Sequence, residues 1–312
     1  MGATACAPSP TLGRQTMHGT RIAGAVLLAL SMAASETQAQ LAYTHGQNIA
    51  PAYEGWERND DGSFNLVFGY MNRNWEEVID VPIGPDNEIE PGGPDQGQPT
   101  RFQQRRNRFV FRIRVPADFG DQELVWTLTS NGKTERAYAT LKPDYFMDNF
   151  VIQANNGAGG AAGTMPDLPD NTEPVLTVEG KRLRTAKVGQ PIGLAAMVTD
   201  DDLPRPRPLP KTNPRFSSRI TTMVATGLRV SWFVYRGPGT VRFEPPQTKV
   251  WEDTRDGENS PWSPGWRAPK PPADGRWVAQ ATFDEPGTYV LHCQAHDGGL
   301  STTEAVTVVV SP

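Results

Sequence analysis

Cysteine and histidine are scarce in this chain of 312 residues, which has two cysteines and four histidines. The cysteines are Cys6 and Cys293, so a chain that loses its N-terminal segment keeps one thiol and forms no intrachain disulfide. So few histidines give little material for a multi-histidine zinc site or a Ser-His-Asp triad. The fold must therefore be stabilised by burial of a hydrophobic core.

Long apolar runs and excess positive charge are also missing. The run Ile22–Ala34 has 13 residues, whereas a membrane-spanning helix needs roughly 20. Lys and Arg number 30 against 35 Asp and Glu, and the net charge of −5 gives no overall attraction to nucleic acid or anionic membrane. The sequence contains no nucleophile elbow, P-loop, dinucleotide fingerprint or HExxH motif. These absences argue against a nucleic-acid binder, a membrane-spanning protein and the common motif-bearing enzymes.

The N-terminal segment has the pattern of a secretory signal. Arg14 and Arg21 precede the apolar run, and the small-residue exit Thr-Gln-Ala at 37–39 follows it. We predict that residues 1–39 are a signal peptide and that the protein is exported to the periplasm or the extracellular space. The sequence leaves open whether translation starts at Met1 or Met17.

Residues 40–153 contain short segments in which apolar and polar residues alternate, the pattern of half-buried strands. Asn131-Gly132 lies between two such segments and is a strong hairpin signal. No segment has a convincing helical period, so we predict a small antiparallel sandwich with a Gly/Pro-rich loop at 84–100. The predicted strands are 63–71, 77–83, 108–115, 123–129 and 135–141.

Residues 154–173 are rich in Gly and Pro and read as a flexible linker between two domains. Beyond it, residues 174–312 contain seven short segments typical of strands, with turn signals between them. We therefore predict an all-β protein with two antiparallel, immunoglobulin-like β-sandwich domains. The strands predicted in the second half are 175–178, 191–199, 228–235, 240–243, 276–283, 288–295 and 304–310.

The second half also carries recognisable motifs. They are Trp232, Gly237-Pro238-Gly239, the run from Pro286-Gly287-Thr288-Tyr289 to Asp297-Gly298-Gly299, and a final Val306–Val310 strand. With these motifs the region resembles PKD and related immunoglobulin-like or cadherin-like extracellular domains. The resemblance implies a spacer or interaction module without chemistry of its own. Long insertions at 200–227 and 247–275 depart from that pattern.

A basic stripe is predicted on the strand at 108–115. If Phe109, Phe111, Ile113 and Val115 face the core, the side chains of three arginines share the solvent face. This stripe could contact an anionic glycan or lipid headgroup, or it could pair with acidic residues on neighbouring strands. The arginines are Arg108, Arg112 and Arg114.

Acidic residues are predicted to gather at one end of the second sandwich. In an immunoglobulin-like topology, the second and sixth strands run in the same direction, so the residues that follow them emerge together. Clustered carboxylates repel one another unless they are solvated or share a cation such as calcium. The alternatives are a calcium site and solvated turn acids at Asp200, Asp201, Asp202 and Asp297.

His292 and His296 flank Cys293 and could suggest a metal site. The alternation around them indicates a strand, on which residues four apart lie about 13 Å apart, too far to share one ion. We expect both histidines on the outer surface and the cysteine in the core.

Tryptophan is concentrated in the second insertion, at Trp251, Trp262 and Trp266. A loop of this length is usually functional or disordered, and disordered segments are depleted in aromatic residues. The indoles either cap the sandwich or form a contact surface for a sugar or a protein.

The sequence leaves three functions open. The first is an exported, non-catalytic binding or spacer protein of the cell envelope or cell surface, whose partner is an envelope or surface protein or a glycan. The second is a carbohydrate-binding module that uses the Trp-rich loop at 247–275. The third is an unrecognised hydrolase, which would need a cleft with two convergent carboxylates. No cofactor other than calcium is predicted.

Overall fold

The computed structural model describes residues 44–156, 168–205, 227–247 and 270–312. Over these ranges the chain is built mainly from antiparallel β-strands, with one short α-helix. The predicted all-β class is therefore confirmed. The predicted signal peptide, residues 1–39, lies outside the described residues.

The first sandwich has eight strands in the described part of the chain. One sheet has the order β1-β2-β6, the facing sheet has the order β4-β7-β8, and β3 pairs with β5. The strands are β1 (Ile49–Arg58), β2 (Phe64–Asn72), β3 (Ile79–Asp80), β4 (Asn87–Glu90), β5 (Arg101–Phe102), β6 (Arg105–Val115), β7 (Leu124–Ser130) and β8 (Lys133–Ala139).

Strict alternation shows why β7 is a strand. Leu124, Trp126 and Leu128 of β7 are buried, and the residues between them point away from the core. The predicted hairpin joins β7 to β8, with φ of 47° at Asn131 and 72° at Gly132. Asn and Gly tolerate these positive φ values, which a two-residue hairpin turn requires.

The second sandwich has two four-stranded sheets, of order β10-β16-β15-β12 and β13-β14-β11-β9. All pairs are antiparallel except the parallel pair of β10 with β16. The strands are β9 (Val175–Val178), β10 (Leu183–Lys187), β11 (Ile192–Thr199), β12 (Arg229–Arg236), β13 (Val241–Glu244), β14 (Arg276–Phe283), β15 (Gly287–His296) and β16 (Ser301–Ser311).

This strand order is that of an immunoglobulin-like sandwich. The third, sixth and seventh strands of such a fold share one sheet, and the first, second, fourth and fifth share the other. When the additional strand β10 is left out of the count, β12, β15 and β16 have the first set of positions and β9, β11, β13 and β14 the second. Trp232 is buried in the third-strand position, and the hydroxyl of the buried Tyr289 donates to the carbonyl of Glu285 at 2.9 Å. A tyrosine whose hydroxyl forms a hydrogen bond with the backbone a few residues upstream is a recurrent feature of this fold.

Strand β4 lies within residues 84–100, which were predicted to be a loop, and the two-residue strand β5 follows it, so neither was predicted from the sequence. Two further strands and the α-helix were not predicted either. Strand β1 bulges between Tyr53 and Gly55, which breaks its alternation. Strand β10 is polar, and its neighbour β16 supplies its pairing. The helix is α1 (Asn149–Asn155), which begins where Asp148 accepts a hydrogen bond from the N–H of Val151 at 2.9 Å.

The two sandwiches contact each other directly. The Tyr235 hydroxyl donates to the carbonyl of Gly97 at 2.6 Å, and the Arg236 guanidinium pairs with Asp95 at 2.9 Å. The N–H of Thr100 donates to the carbonyl of Tyr235 at 3.2 Å. Residues from Tyr43 to Pro312 accordingly form one compact unit.

The predicted linker at 154–173 begins inside α1 and has anchored ends in the described structure. Asn156 donates to the carbonyl of Gly299 at 2.8 Å, and Asn171 donates to Gln153 at 2.8 Å. Residues 157–167 lie outside the described residues, and the domain boundary stays a prediction. Among the described residues, no helix has the length and apolar character needed to cross a membrane.

Candidate functional site

A groove of about 740 Å³ lies where the first sandwich, α1 and the second sandwich meet. Strands β1 and β6 supply its floor, the segment that leads into α1 supplies one wall, and the start of β16 supplies another. Its polar and aromatic members include Glu57, Arg112, Phe146, Asp148, Glu173 and Thr302. We refer to this surface as the junction groove.

A guanidinium held by a carboxylate forms the polar floor of the junction groove. Arg112 Nε and Nη2 donate to the two carboxylate oxygens of Glu57, both at 2.9 Å. Partial desolvation in the groove raises the pKa of Glu173, the charge of Arg112 lowers it and that of Glu57 raises it further. With Arg58 and Asp148, which also line the groove, two cations lie among three carboxylates, so the groove offers no net positive charge to an anionic ligand.

The wall of the groove is formed by residues 146–149 and Ile152. They belong to a segment that comprises a 3-10 turn, Pro143–Tyr145, and α1. The segment runs along the free edge of β1, where the N–H of Met147 donates to the carbonyl of Trp56 at 2.9 Å, and Gly55 leaves room for it. A Cβ at Gly55 would lie 2.6 Å from Met147 Cγ, and its φ of 143° also disfavours a side chain. Phe146 packs against Trp56 with ring centroids 5.0 Å apart, yet remains 47% exposed.

A largely buried ion pair joins β1 to β6 close to Phe109, a residue of the groove. Glu54 accepts from Arg106 at 2.7 Å and also from the backbone N–H of Phe109. Burial raises the pKa of Glu54, and the charge of Arg106 partly offsets this effect. Gly69 makes space for the pair, because a Cβ there would meet the Glu54 carboxylate and lie 2.5 Å from the carbonyl oxygen of Asn107.

The predicted stripe of three arginines is only partly correct in its geometry. Arg112 and Arg114 do share an exposed face, where Arg112 pairs with Glu57 and Arg114 pairs with Asp61. The pairing register between β2 and β6 shifts after Phe68, which pairs with Phe111, because Tyr70 pairs with Asn107. Phe109 lies in this irregular part of β6 and has a φ of 53°. This irregularity takes Arg108 off the stripe and Phe109 out of the core. Arg108 instead lines a small cavity beside His292.

The expectation of two surface histidines is wrong for both His292 and His296, because neither side chain is exposed. Its ring stacks on Tyr235 with centroids 3.8 Å apart, beneath the first sandwich. Burial and the charge of Arg236 lower the pKa of His292 to about 4. His296 Nδ1 accepts from the N–H of Gly298 at 2.8 Å, and burial lowers its pKa. Cys293 is buried in the core, as predicted.

The acidic residues predicted at one end of the second sandwich have different roles. Asp201 accepts from the N–H and hydroxyl of Thr172 at 2.8 and 2.7 Å. Asp297 accepts from the N–H groups of Gly299 and Leu300 and from Asn171. These carboxylates therefore hold turns through hydrogen bonds with the backbone.

Asp200 is the least satisfied acid of this group. Burial and the negative charges of Asp297 and Asp201 raise its pKa to about 7, and burial raises the pKa of Asp297 to about 6. Asp202 donates its N–H to Asp200 at 3.2 Å, and Arg229 lies near Asp297. In the described part of the chain, no group of three or more His, Cys, Asp or Glu residues is arranged to hold a metal ion. The calcium site stays a prediction.

Trp251, Trp262 and Trp266 lie outside the described residues, as does most of the insertion at 247–275. The same holds for most of the insertion at 200–227. Whether the indoles cap the sandwich or form a contact surface therefore stays a prediction.

Sequence reasoning missed Glu57, Phe146 and Glu173 as members of one site. Glu57 lies near the end of an unpredicted strand, Phe146 precedes an unpredicted helix, and Glu173 belongs to the predicted linker. The sequence signal for Glu57 was the alternation of an apolar and a polar residue at Trp56 and Glu57, which is typical of a strand. The bulge at Glu54 interrupts this alternation, so the strand was not recognised. Only tertiary contacts bring the three together.

Comparison with known proteins does not assign this chain to a family. No protein family matches the sequence, and no curated protein is similar to it. Among solved structures, the D00-D0 domain of intimin is 11% identical, with 84% of this chain and 100% of that chain covered and a TM-score of 0.23. Domains 4 and 5 of the S-layer protein SbsC are 11% identical over 73% of this chain and 78% of theirs, with a TM-score of 0.23.

Fibronectin(III)-like modules of CbhA from Clostridium thermocellum give a similar result. They are 10% identical, with 85% of this chain and 94% of that chain covered, and a TM-score of 0.22. Likenesses this low carry no argument about function. The immunoglobulin-like description of the second sandwich rests on its own strand order.

Proposed function

We propose that this chain is an exported, non-catalytic β-sandwich protein that binds a partner in the cell envelope or at the cell surface through the junction groove. One observation carries the proposal: the groove is built from three parts of the chain and has the half-exposed ring of Phe146 in its wall. Clefts between domains are preferred binding sites, and aromatic anchors dominate interface energies.

The chemistry of the groove favours binding over catalysis. A pair of catalytic carboxylates must exchange protons with substrate, and both oxygens of Glu57 are held by Arg112. The thiol of Cys293 is buried, and burial raises its pKa, so it is a poor nucleophile. The groove therefore supports recognition rather than a hydrolase.

A PKD-type second sandwich belongs to this proposal. The glycines that carry the resemblance pack together, since a Cβ at Gly239 would lie 2.9 Å from the Tyr289 hydroxyl and a Cβ at Gly287 would lie 2.7 Å from Pro238. Modules of that type act as spacers or interaction domains. The alternative is a carbohydrate-binding module that uses the Trp-rich loop at 247–275.

Binding of the labelled protein to isolated envelopes of the producing cell tests the proposal. We expect saturable binding that Phe146→Ala weakens by about tenfold, as loss of an aromatic anchor does, with no soluble product released. Phe150→Ala is the matched control, because Phe150 is 51% exposed and does not line the groove. Equal binding by Phe146→Ala and the wild type would refute the groove as the contact surface.

Two further treatments separate the candidate partners. Protease treatment of the envelopes should abolish binding to a protein partner, whereas periodate oxidation should abolish binding to a glycan. Trp262→Ala with Trp266→Ala tests the alternative. If that double variant loses binding and Phe146→Ala keeps it, the Trp-rich loop is the binding site.

A further inference from the structure

The outer face of the β4-β7-β8 sheet forms a second, shallow concavity of about 740 Å³. All the residues that line it belong to the first sandwich, and none of them lines the junction groove. We call it the Tyr138 face. An inference about this face is therefore independent of the proposed function of the groove.

The strand register arranges its side chains in rows. Glu88, Thr127 and Arg136 lie side by side across the three strands. Glu90, Val125 and Tyr138 form the next row along the strands. Neighbouring strands are about 4.8 Å apart, so each row places three side chains across roughly 10 Å of a rigid surface.

Tyr138 gives this face an exposed aromatic ring. Its side chain is 53% exposed, and Val125 is its neighbour on the adjacent strand. A phenol ring held on a sheet can stack against the C–H face of a sugar ring, and its hydroxyl can bond to the sugar hydroxyls. Beyond this row, the hydroxyls of Thr129 and Thr134 lie 2.8 Å apart and add polar groups.

The charge of the face is negative. Glu88, Glu90 and Glu123 line it together with one cation, Arg136. None of these four side chains has an ion-pair partner within 4.0 Å in the described structure, in contrast to Arg112 and Arg114 on the other sheet. A face with unpaired carboxylates attracts a cationic ligand.

Both edges of this sheet are covered, which argues against a peptide that adds a strand. At the β4 edge, Gln96 and Gln98 donate side-chain amides to the carbonyls of Ile89 and Asn87, at 2.8 and 3.2 Å. At the β8 edge, β1 packs against β8, and Asn48, which precedes β1, donates to the side chain of Glu135 at 3.0 Å. A ligand must therefore bind through side chains of the open face, not by backbone pairing.

We propose that the Tyr138 face binds a glycan that carries free amino groups, such as a polymer of glucosamine. A sugar ring stacks on Tyr138, and its ammonium groups lie against Glu88 and Glu90. The threonine hydroxyls of the face bond to the sugar hydroxyls.

Calorimetric titration of the full chain with a glucosamine hexamer tests this inference. We expect saturable binding that weakens with added salt, and binding of the fully N-acetylated hexamer about tenfold weaker. Tyr138→Ala should weaken binding by about tenfold, and Glu88→Gln with Glu90→Gln by at least as much.

The controls are an exposed aromatic residue in α1 and an exposed acid in the 3-10 turn before it, Phe150→Ala and Asp144→Asn. Both should bind like the wild type, and thermal melting of every variant should confirm an intact fold. Absence of saturable binding at millimolar hexamer would overturn the proposal, as would full binding by both the Tyr138 and the glutamate variants. Equal affinity for hexalysine would also overturn it, because the face would then recognise charge alone. None of these results depends on whether Phe146 contributes to envelope binding.

Discussion

The two sandwiches stabilise their interiors in different ways. The core of the second sandwich consists of aliphatic and aromatic side chains and Cys293, packed between two regular sheets. The polar side chains that its described strands and turns bury include the charged residues Arg229 and Asp297. The first sandwich has a comparable apolar core but also buries a set of amide side chains. The buried amides are Asn48, Asn72, Asn74, Asn87, Gln98 and Asn107.

The buried amides hold loops in place. Asn87 donates to the carbonyls of Val81 and Pro99 at 2.9 and 2.8 Å and accepts from the indole N–H of Trp126 at 3.0 Å. The carbonyl of Gln98 in turn accepts from Arg236 of the second sandwich at 2.8 Å. The irregular loops of the first sandwich thus form the platform on which the second one docks. The comparison teaches that polar anchors inside one domain can determine how it joins its neighbour.

The buried ion pair of the first sandwich should give the largest effect. Arg106→Ala leaves the carboxylate of Glu54 buried without its partner, and we expect a loss of about 3 kcal/mol in the free energy of unfolding. Arg114→Ala is the control in the same strand, since Arg114 and Asp61 are exposed and such pairs contribute about 0.5 kcal/mol or less. Urea unfolding of both variants measures the difference. Equal losses would show that burial does not distinguish the two pairs.

An anchoring amide should have the next largest effect. Asn87→Ala leaves two carbonyls and one indole N–H without partners, which should cost about 2 kcal/mol. Asn149→Ala is the control, because Asn149 is exposed at the start of α1 and should change stability little. Chemical unfolding again provides the measurement. A loss below that of Asn149→Ala would contradict the anchoring role.

His292 should make the contact between the sandwiches sensitive to acid. Its folded pKa of about 4 lies below the unfolded value, so the unfolded chain binds more protons as the pH falls from about 6.5 to about 4. Stability should decline across that window, and His292→Phe should make the decline smaller by about 2 kcal/mol while keeping a ring on Tyr235. Part of the decline should remain in this variant, because burial also lowers the pKa of His296. Unfolding of both proteins at about pH 7 and about pH 4.5 checks the sign. An identical decline in His292→Phe would falsify the assignment.

Asp200 should act in the opposite direction and more weakly. Its folded pKa of about 7 lies above the unfolded value, so the folded chain holds a proton that the unfolded chain releases, and stability falls as the pH rises from about 4 to about 7. Because Asp200 is only partly buried, we expect Asp200→Asn to gain about 1 kcal/mol at about pH 8 and nothing at about pH 4. Asp144→Asn, at an exposed acid, should show no such difference.

The same variant tests the predicted calcium site. If calcium binds here, millimolar calcium should raise the melting temperature of the wild type and leave that of Asp200→Asn unchanged. Calorimetry that finds no shift in the wild type, with calcium or with a chelator, would remove the calcium prediction.

Sequence reasoning worked where local pattern and tertiary role agree. Strand β14 was predicted with its observed bounds, and β11, β12 and β15 to within one residue at each end, because each buries every second side chain against one core. The Asn131-Gly132 hairpin was also predictable, since those two residues tolerate the backbone that the turn requires. Strand β1 was missed because its bulge shifts the alternation by one residue.

The sequence by itself determined the all-β class, most of the strands and the buried position of Cys293. It also indicated that Arg112 and Arg114 could pair with acidic residues on neighbouring strands. Only the tertiary structure decided that Arg108 leaves their stripe, that His292 lies beneath the first sandwich and that Glu57, Phe146 and Glu173 share a groove. The reason is physical: alternation and turn chemistry act over a few residues, and a sequence records them directly. A bulge, a buried ion pair over Gly69 and the docking of one sandwich on another depend on contacts between residues far apart in the chain, which no local pattern specifies.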